Sequence, residues 1–432
     1  MPKKFLLTSP PLTGHTNQLI VLAAELTRLG HSVTFATDRS FEGRVRAAGA
    51  KFISFGASEI IDSADPYLST YNSLWHDISF DASIVRSRKR LLELFIHTYA
   101  VMHAEFLSIA KRTQPDTILV DSVALAGLDV ARQLKIPLVA LAMFLTESVP
   151  DNFRFPNIDL DFPAKMTGSQ KIINLLYPWQ KLVRILPELL RLQRLRSRCA
   201  KDNGFIVPSD KYPILVATSF GLELTRELPP NVQLVGPILS TATQELSPEL
   251  RSWLDNSADT PVIFVSFGTL AELSKSSATS ILEGLKSCPV RVLWSLRTDQ
   301  QGLLADIPTS VRIESTVPQQ AVLAHPAVKV FLSHCGMNSV SESIYYGKPI
   351  LGVPIFIDQH YNSARVVDAG IGVRIAKSEV SATSVRNSVN LLLSEERFVQ
   401  AVRRLSKVVT GNDSLGRTIG LIECASELQA NC

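Results

Sequence analysis

A histidine and an aspartate are the residues in this sequence best suited to move a proton. His15 follows Gly14 in the loop expected between a first strand (4–8) and a first helix (17–29), and Asp121 ends the apolar strand 117–120. In a parallel sheet the carboxyl ends of the strands share one rim, so both residues are expected there. Imidazolium is disfavoured beside a helix N-terminus, which keeps a histidine neutral and able to accept a proton. A nearby carboxylate would fix its tautomer and steady the cation formed afterwards. By residue type alone, an ordinary loop histidine is the commoner reading of His15.

A second set of polar residues recurs past successive strands of the other half: Ser266-Phe267-Gly268-Thr269, Ser295, Thr316-Val317-Pro318-Gln319, Ser333-His334-Cys335-Gly336-Met337-Asn338-Ser339, and Asp358-Gln359. Convergence of such groups on one rim predicts a polar ligand site. The stretch after Ser333 reads as a strand, a glycine turn and a helix starting near Asn338 or Ser339. A helix start offers unpaired amides and a positive dipole end, which suits a diphosphate. Gly336 would let backbone approach the ligand closely, and His334, Asn338, Ser339 and Thr269 add donors. A structural alternative stands beside this one: Ser339-Val340-Ser341-Glu342 also reads as a capping box. Asp358 likewise reads as a helix N-cap.

These groups must hang from an alternating β/α chain. Short apolar runs at 4–8, 32–36, 51–55, 117–120, 137–141 and 214–218 alternate with helical patterns. A second series follows at 262–267, 290–295, 311–315, 328–333, 349–353 and 372–375. Such alternation predicts parallel sheets with crossover helices. Two doubly wound α/β units joined near residue 237 result, with a ligand between them. Gly30 reads as the stop of the first helix.

Residues 151–205 break the alternation. Ile172, Leu175, Leu176, Trp179, Leu182, Val183, Leu186, Leu189 and Leu190 recur at helical spacing among Lys171, Lys181, Arg184, Arg191, Arg194, Arg196 and Arg198. The plain expectation is an amphipathic helical pair packed on the sheet with a solvated basic face. A hydrophobic acceptor pocket, or a peripheral membrane contact through 165–201, fits the same pattern. Trp75, Phe80, Phe95 and Met143-Phe144 are candidates to line such a pocket, or simply core.

The composition narrows the classes. With 432 residues, 46% hydrophobic and 19% charged, the chain has material for two or three packed cores and is not a disordered or fibrous protein. Forty-four Lys and Arg against 40 Asp and Glu leave a net charge of +4, which gives no reason to expect nucleic acid. Five scattered cysteines (Cys199, Cys288, Cys335, Cys424, Cys432) read as reduced thiols in a cytoplasmic protein without structural zinc. The apolar start 5–7 stops at Thr8-Ser9-Pro10-Pro11, too short for a signal sequence, and no run is long enough to span a bilayer. Asp159-Leu160-Asp161 has the form of a metal-diphosphate motif but falls in the irregular insert, so no metal site is expected. Neither half carries GxGxxG after its first strand, which disfavours a nicotinamide enzyme.

The run from Pro318-Gln319 through His325, Phe331, Ser333-His334-Cys335-Gly336, Asn338-Ser339, Glu342, Gly347, Pro349 and Pro354 to Asp358-Gln359 closely resembles the donor-binding signature of the UDP-glycosyltransferase family, the inverting GT-B enzymes. The resemblance implies two Rossmann-like domains: 1–236 for the acceptor, 237–407 for the nucleotide sugar, and a last helix, 408–432, returning to the first domain. It further implies that His334, Asn338, Ser339 and Thr269 hold the diphosphate, and Gln319 and Glu342 the ribose. Ser295 and the Val317 backbone would meet uracil, and Asp358-Gln359 the sugar hydroxyls. His15 would be the general base, with Asp121 behind it, in a metal-independent transfer of a hexose to a small hydrophobic alcohol. UDP-sugar is then a co-substrate and no other cofactor is implied. Two positions depart from the plant pattern: Thr316 stands where a Trp stacks on uracil, and Met337 replaces a Trp after the glycine. A non-catalytic nucleotide-sugar-binding protein and an epimerase or hydrolase on the same fold remain as alternatives.

Overall fold

The computed structural model describes residues 1–55, 84–145, 154–200, 212–240, 244–256, 260–269 and 271–430. The strands of the first half are β1 (Lys4–Thr8), β2 (Ser32–Thr37), β3 (Lys51–Ser54), β4 (Thr117–Asp121), β5 (Leu138–Ala142), β6 (Ile214–Val216) and β7 (Val232–Leu234). They form one parallel sheet in the order β3-β2-β1-β4-β5-β6-β7. The second half supplies β8 (Val262–Ser266), β9 (Arg291–Ser295), β10 (Val311–Glu314), β11 (Val328–Ser333), β12 (Ile350–Gly352) and β13 (Gly372–Arg374), again all parallel, ordered β10-β9-β8-β11-β12-β13. Eleven of the twelve expected strands keep their bounds or shift at an end by no more than one residue. β6 gives up its last two positions. β7 was not anticipated, because three residues after Pro229-Pro230-Asn231 carry too little pattern to register.

Both sheets are covered on both faces, which is why their strands read as continuous apolar runs rather than alternating ones. Phe5 and Leu7 of β1 face Leu19, Leu22 and Leu26 of α1 (Thr13–Arg28), together with Ile419 and Ile422. Leu6, Ile118 and Val120 face Phe106 and Ile109 of α2 (Ile84–Thr113) and Val130 of α3 (Leu125–Leu134). The expected pair of helices in the insert is a single helix, α4 (Gly168–Ala200), and it packs on α2 rather than on the sheet. Lys171, Arg184, Arg191, Arg194 and Arg198 are exposed, as a solvated basic face requires, but Ile172, Leu176, Trp179, Val183, Leu186 and Leu190 are exposed as well. The helical period was legible; which side faced inward was not.

The site-bearing helices of the second half are α5 (Gln319–Ala324), α6 (Met337–Tyr345) and α7 (Gln359–Asp368). The last helix, α8 (Ser414–Ala430), starts later than 408 and lies on the first sheet, where Lys3 bonds Ser426 and His31 bonds Glu423. Between the two halves Met143, Phe144 and Leu222 share one apolar cluster with Met337, Val340 and Val402, which fixes the two rims against each other.

A buried ion pair ties α2, α3 and α4 together. Arg196 donates twice to Asp129, at 2.7 Å each, and Tyr99 Oη donates to the same carboxylate at 2.6 Å. Both charges are nearly inaccessible, so removing one strands the other. Asp129→Asn is expected to cost about 3–5 kcal/mol, read as a lower midpoint in urea unfolding followed by circular dichroism. An unchanged midpoint would show that the helices are held by apolar packing alone.

Candidate active site

Each sheet reverses its strand order once, between β1 and β4 and between β8 and β11, and the crevices beyond those reversals are where ligands of such folds bind. His15 follows β1 and Asp121 ends β4, so the first pair sits on the first reversal. Gly268 and Thr269 follow β8 and His334 follows β11, so the second set sits on the other. One cavity of about 1430 Å³ runs between them, lined by Gly14, His15, Thr269, Ser295, Val317, Gln319, His334, Gly336, Asn338, Ser339, Glu342, Asp358 and Gln359. Phe95, Met143 and Phe144 line it too; Trp75 and Phe80 lie outside the described residues.

His15 stands in the first turn of α1 and donates from Nδ1 to Asp121 Oδ2 at 2.8 Å. An ionised carboxylate only accepts, so the Nδ1 proton is committed to Asp121 and the ring's lone pair falls on Nε2. Asp121 is fully buried, and its other oxygen accepts from the Val123 amide at 3.0 Å, which fixes the carboxylate's orientation.

The capping-box alternative for Ser339-Glu342 does not hold. The N-cap of α6 is Gly336, so Ser339 lies inside the first turn rather than ahead of it. Glu342 instead accepts from Gln319 Nε2 at 2.6 Å and from Gln320 Nε2 at 3.2 Å, and burial raises the pKa of its carboxyl. Asp358 does occupy the N-cap of α7 but makes no side-chain cap bond; it accepts from Asn362 Nδ2 at 2.8 Å. Burial raises its pKa too, while the positive charge of Arg88 and the Asn362 amide oppose that. Gln359 uses Oε1 to hold the Ile355 and Phe356 amides, so any contact it makes to a ligand falls to Nε2.

His334 is flanked by two glycines for a steric reason. A Cβ on Gly336 would lie 2.6 Å from its Nε2, and one on Gly268 2.9 Å from the ring. Gly336 is thus needed for the imidazole itself as well as for backbone approach. Cys335, between them, has φ of +63°, a left-handed conformation that only a constrained junction holds in a non-glycine residue. Burial lowers the His334 pKa to about 4, so at neutral pH it is an uncharged ring with one N–H.

Several contacts join the rims directly. Asn338 Nδ2 donates to the Gly14 carbonyl at 2.8 Å and Gln18 Nε2 donates to Asn338 Oδ1 at 2.9 Å. Thr269 and Thr13 hydroxyls lie 3.4 Å apart. Gln18 went unnoticed in the sequence, although its place one helical turn past His15 puts both on one face. Arg297 was also missed: it lines the cavity, is gripped by Asp299 and donates to the Thr269 carbonyl at 3.0 Å. His325 is engaged by Asp255 and the Ala327 amide, in keeping with a structural role. Asp159 is held by Arg88 and Lys181, and Asp161 by Arg374.

Two facing parallel α/β domains with a polar rim on each define the GT-B class of glycosyltransferase. The family model described as "UDP-glucoronosyl and UDP-glucosyl transferase" matches residues 7–413, and the chain belongs to that family. It is 25% identical to NDP-glycosyltransferase YjiC of Bacillus subtilis (strain 168) over 96% of this chain and 95% of that one. It is 34% identical to UDP-glycosyltransferase 1 of Phaeomoniella chlamydospora over 44% of this chain and 42% of that protein. Among solved structures, the glycotransferase of kitacinnamycin superposes with a TM-score of 0.71 at 19% identity, covering 98% and 99% of the two chains. The chain is therefore a UDP-sugar glycosyltransferase. Among the described residues no helix is long and apolar enough to cross a membrane.

The His334 ring offers a direct check on the site's electrostatics. A histidine whose folded pKa is depressed binds its proton more readily once unfolded. Its stabilising effect is therefore complete above about pH 6.5 and is lost as pH falls toward 4. In an NMR pH titration its ring resonances should move only near pH 4; movement near pH 6.5 would mean the ring is solvated and chargeable.

Proposed function

We propose that the chain is an inverting, metal-independent transferase that moves a hexose, glucose foremost, from UDP to a hydroxyl of a small apolar alcohol. The observation that carries this reading is the His15–Asp121 bond on one rim, facing the His334–Glu342 segment across a shared cavity. Residues 1–236, with the returning C-terminal helix, act as the acceptor side, and 237–407 as the donor side. The UDP-sugar is the co-substrate and no further cofactor is invoked.

An alcohol's pKa lies far above neutrality, so it needs a base at the moment of attack. The acceptor O–H proton passes to His15 Nε2, and Asp121 stabilises the imidazolium that results. The acceptor oxygen bonds to the anomeric carbon from the face opposite the diphosphate, and the bond from that carbon to phosphate oxygen breaks with its electron pair leaving on UDP. Positive charge on the sugar peaks midway, as in glycoside hydrolysis. The growing negative charge on UDP meets the N-terminal amides of α6, the neutral N–H of His334, and the polar groups of Thr269, Asn338 and Ser339. Asn338 has one amide hydrogen committed to Gly14 and one left for phosphate.

Gln319 and Glu342 accept the ribose, Ser295 and the Val317 backbone the uracil, and Asp358 with Gln359 the sugar hydroxyls. Thr316 cannot stack on a base; the planar guanidinium of Arg297, gripped by Asp299, offers a flat face on the wall of the same cavity. The apolar lining residues Phe95, Met143 and Phe144 suit a hydrophobic acceptor.

His15→Ala is expected to lower kcat by at least about 10²-fold while UDP binding by calorimetry stays unchanged. Retained turnover would remove His15 from the reaction. Glu342→Gln keeps the fold but loses charged acceptance of two ribose hydroxyls, so the donor KM should rise about tenfold, with little change for a deoxyribonucleotide sugar. An equal change for both donors would place Glu342 away from the ribose.

A further inference from the structure

α4 has two working sides. Inward, Ile185, Leu192 and Arg196 are buried against α2 and α3, and Lys181, Ile185 and Leu189 line the wall of the cavity. Outward, Ile172, Leu176, Trp179, Val183, Leu186 and Leu190 advance in steps of three or four, which sets them in one stripe along about five turns. Trp179 is 65% and Val183 73% exposed. Single exposed apolar residues are ordinary, but a continuous stripe of this length marks a contact surface.

Charge distinguishes what the surface fits. Lys171, Arg184, Arg191, Arg194 and Arg198 are exposed along the same helix, and no ion pair among the described residues engages them. The only acid in α4, Glu188, is buried and bridges to Lys89 at 3.2 Å. Arg184, Arg191 and Arg198 repeat every seven residues and so form a cationic row beside the stripe. An apolar stripe edged by unpaired cations, with no exposed acid, has the character of a helix lying in a membrane interface.

We propose that α4 docks on an anionic lipid surface, its axis in the membrane plane, the stripe entering the headgroup region and the cationic row meeting lipid phosphates. The opposite side of the helix then holds the acceptor end of the cavity close to the bilayer, where apolar alcohols collect. That consequence rests on the proposed transferase reading; the docking does not.

The full chain is sedimented with vesicles of phosphatidylcholine alone and of phosphatidylcholine with phosphatidylglycerol. Co-sedimentation with the anionic vesicles, a blue shift in emission that Trp179→Phe removes, and several-fold weaker binding in about 0.5 M salt are expected. Val183→Asp, and Arg191→Glu combined with Arg194→Glu, lie on the exposed face; they should keep the circular dichroism spectrum and lose about tenfold or more in binding. Failure to bind anionic vesicles would overturn the proposal. So would a dimer in sedimentation equilibrium that Val183→Asp dissociates, since the stripe would then belong to a second copy. Neither readout involves sugar transfer, so failure here leaves the His15→Ala result to judge the transferase reading separately.

Discussion

Two parallel sheets each reverse their strand order once, and a parallel sheet has only one rim of carboxyl ends. Those two constraints put His15 beside Asp121 on one side of the cavity and Gly268 beside His334 on the other. Neither pair is close in sequence: 106 residues separate His15 from Asp121. The contact between them exists because β1 and β4 are hydrogen-bonded neighbours in register, Thr8 against Val120. The apolar cluster shared by Met143, Phe144, Met337 and Val340 then sets the rims face to face. Everything the site can do follows from this stacking of apolar strands and helices, which carries no chemistry of its own.

The site works with dipoles more than with charges. His334 is held neutral, and burial pushes Glu342 and Asp358 toward their neutral forms, although glutamine amides and nearby cations oppose that. In such a region oriented amides and N–H groups act strongly, because no water reorganises around them when charge appears. A permanent cation would bind the diphosphate of product and substrate alike. In the proposed transfer, a helix N-terminus and a neutral imidazole meet charge as it develops, and the full charge of Arg297 in the same cavity is partnered by Asp299. The left-handed backbone at Cys335 and at Ile357, each beside a residue that lines the cavity, belongs to the same cost of holding polar groups rigidly in place.

Much of this was legible in the chain, and the reasons for what was not are local. Strands read well because burial on both faces makes them continuous apolar runs, and His15 and Asp121 were legible from their place past strand ends. Ser339-Glu342 misled: its spacing satisfies a cap, but Gly336 already starts the helix, and Gln319 and Gln320, from another helix, take the carboxylate. That competition is between distant residues and has no trace in the local pattern. Asn338 reads as a phosphate donor, yet part of its hydrogen bonding spans the domains to Gly14 and Gln18. α4 shows the limit most plainly. Its period was clear, but with apolar residues on both sides only packing against α2 decides which stripe is buried.

The central claim is a single displacement at the anomeric carbon, driven by a base on the rim opposite the leaving diphosphate. Its most direct test is the configuration of the product, read from the anomeric proton coupling in the NMR spectrum after reaction with an α-linked UDP-hexose. One displacement gives a β-linked glycoside. An α-linked product would mean two displacements or attack from the diphosphate face, and would contradict the placement of His15 as the base.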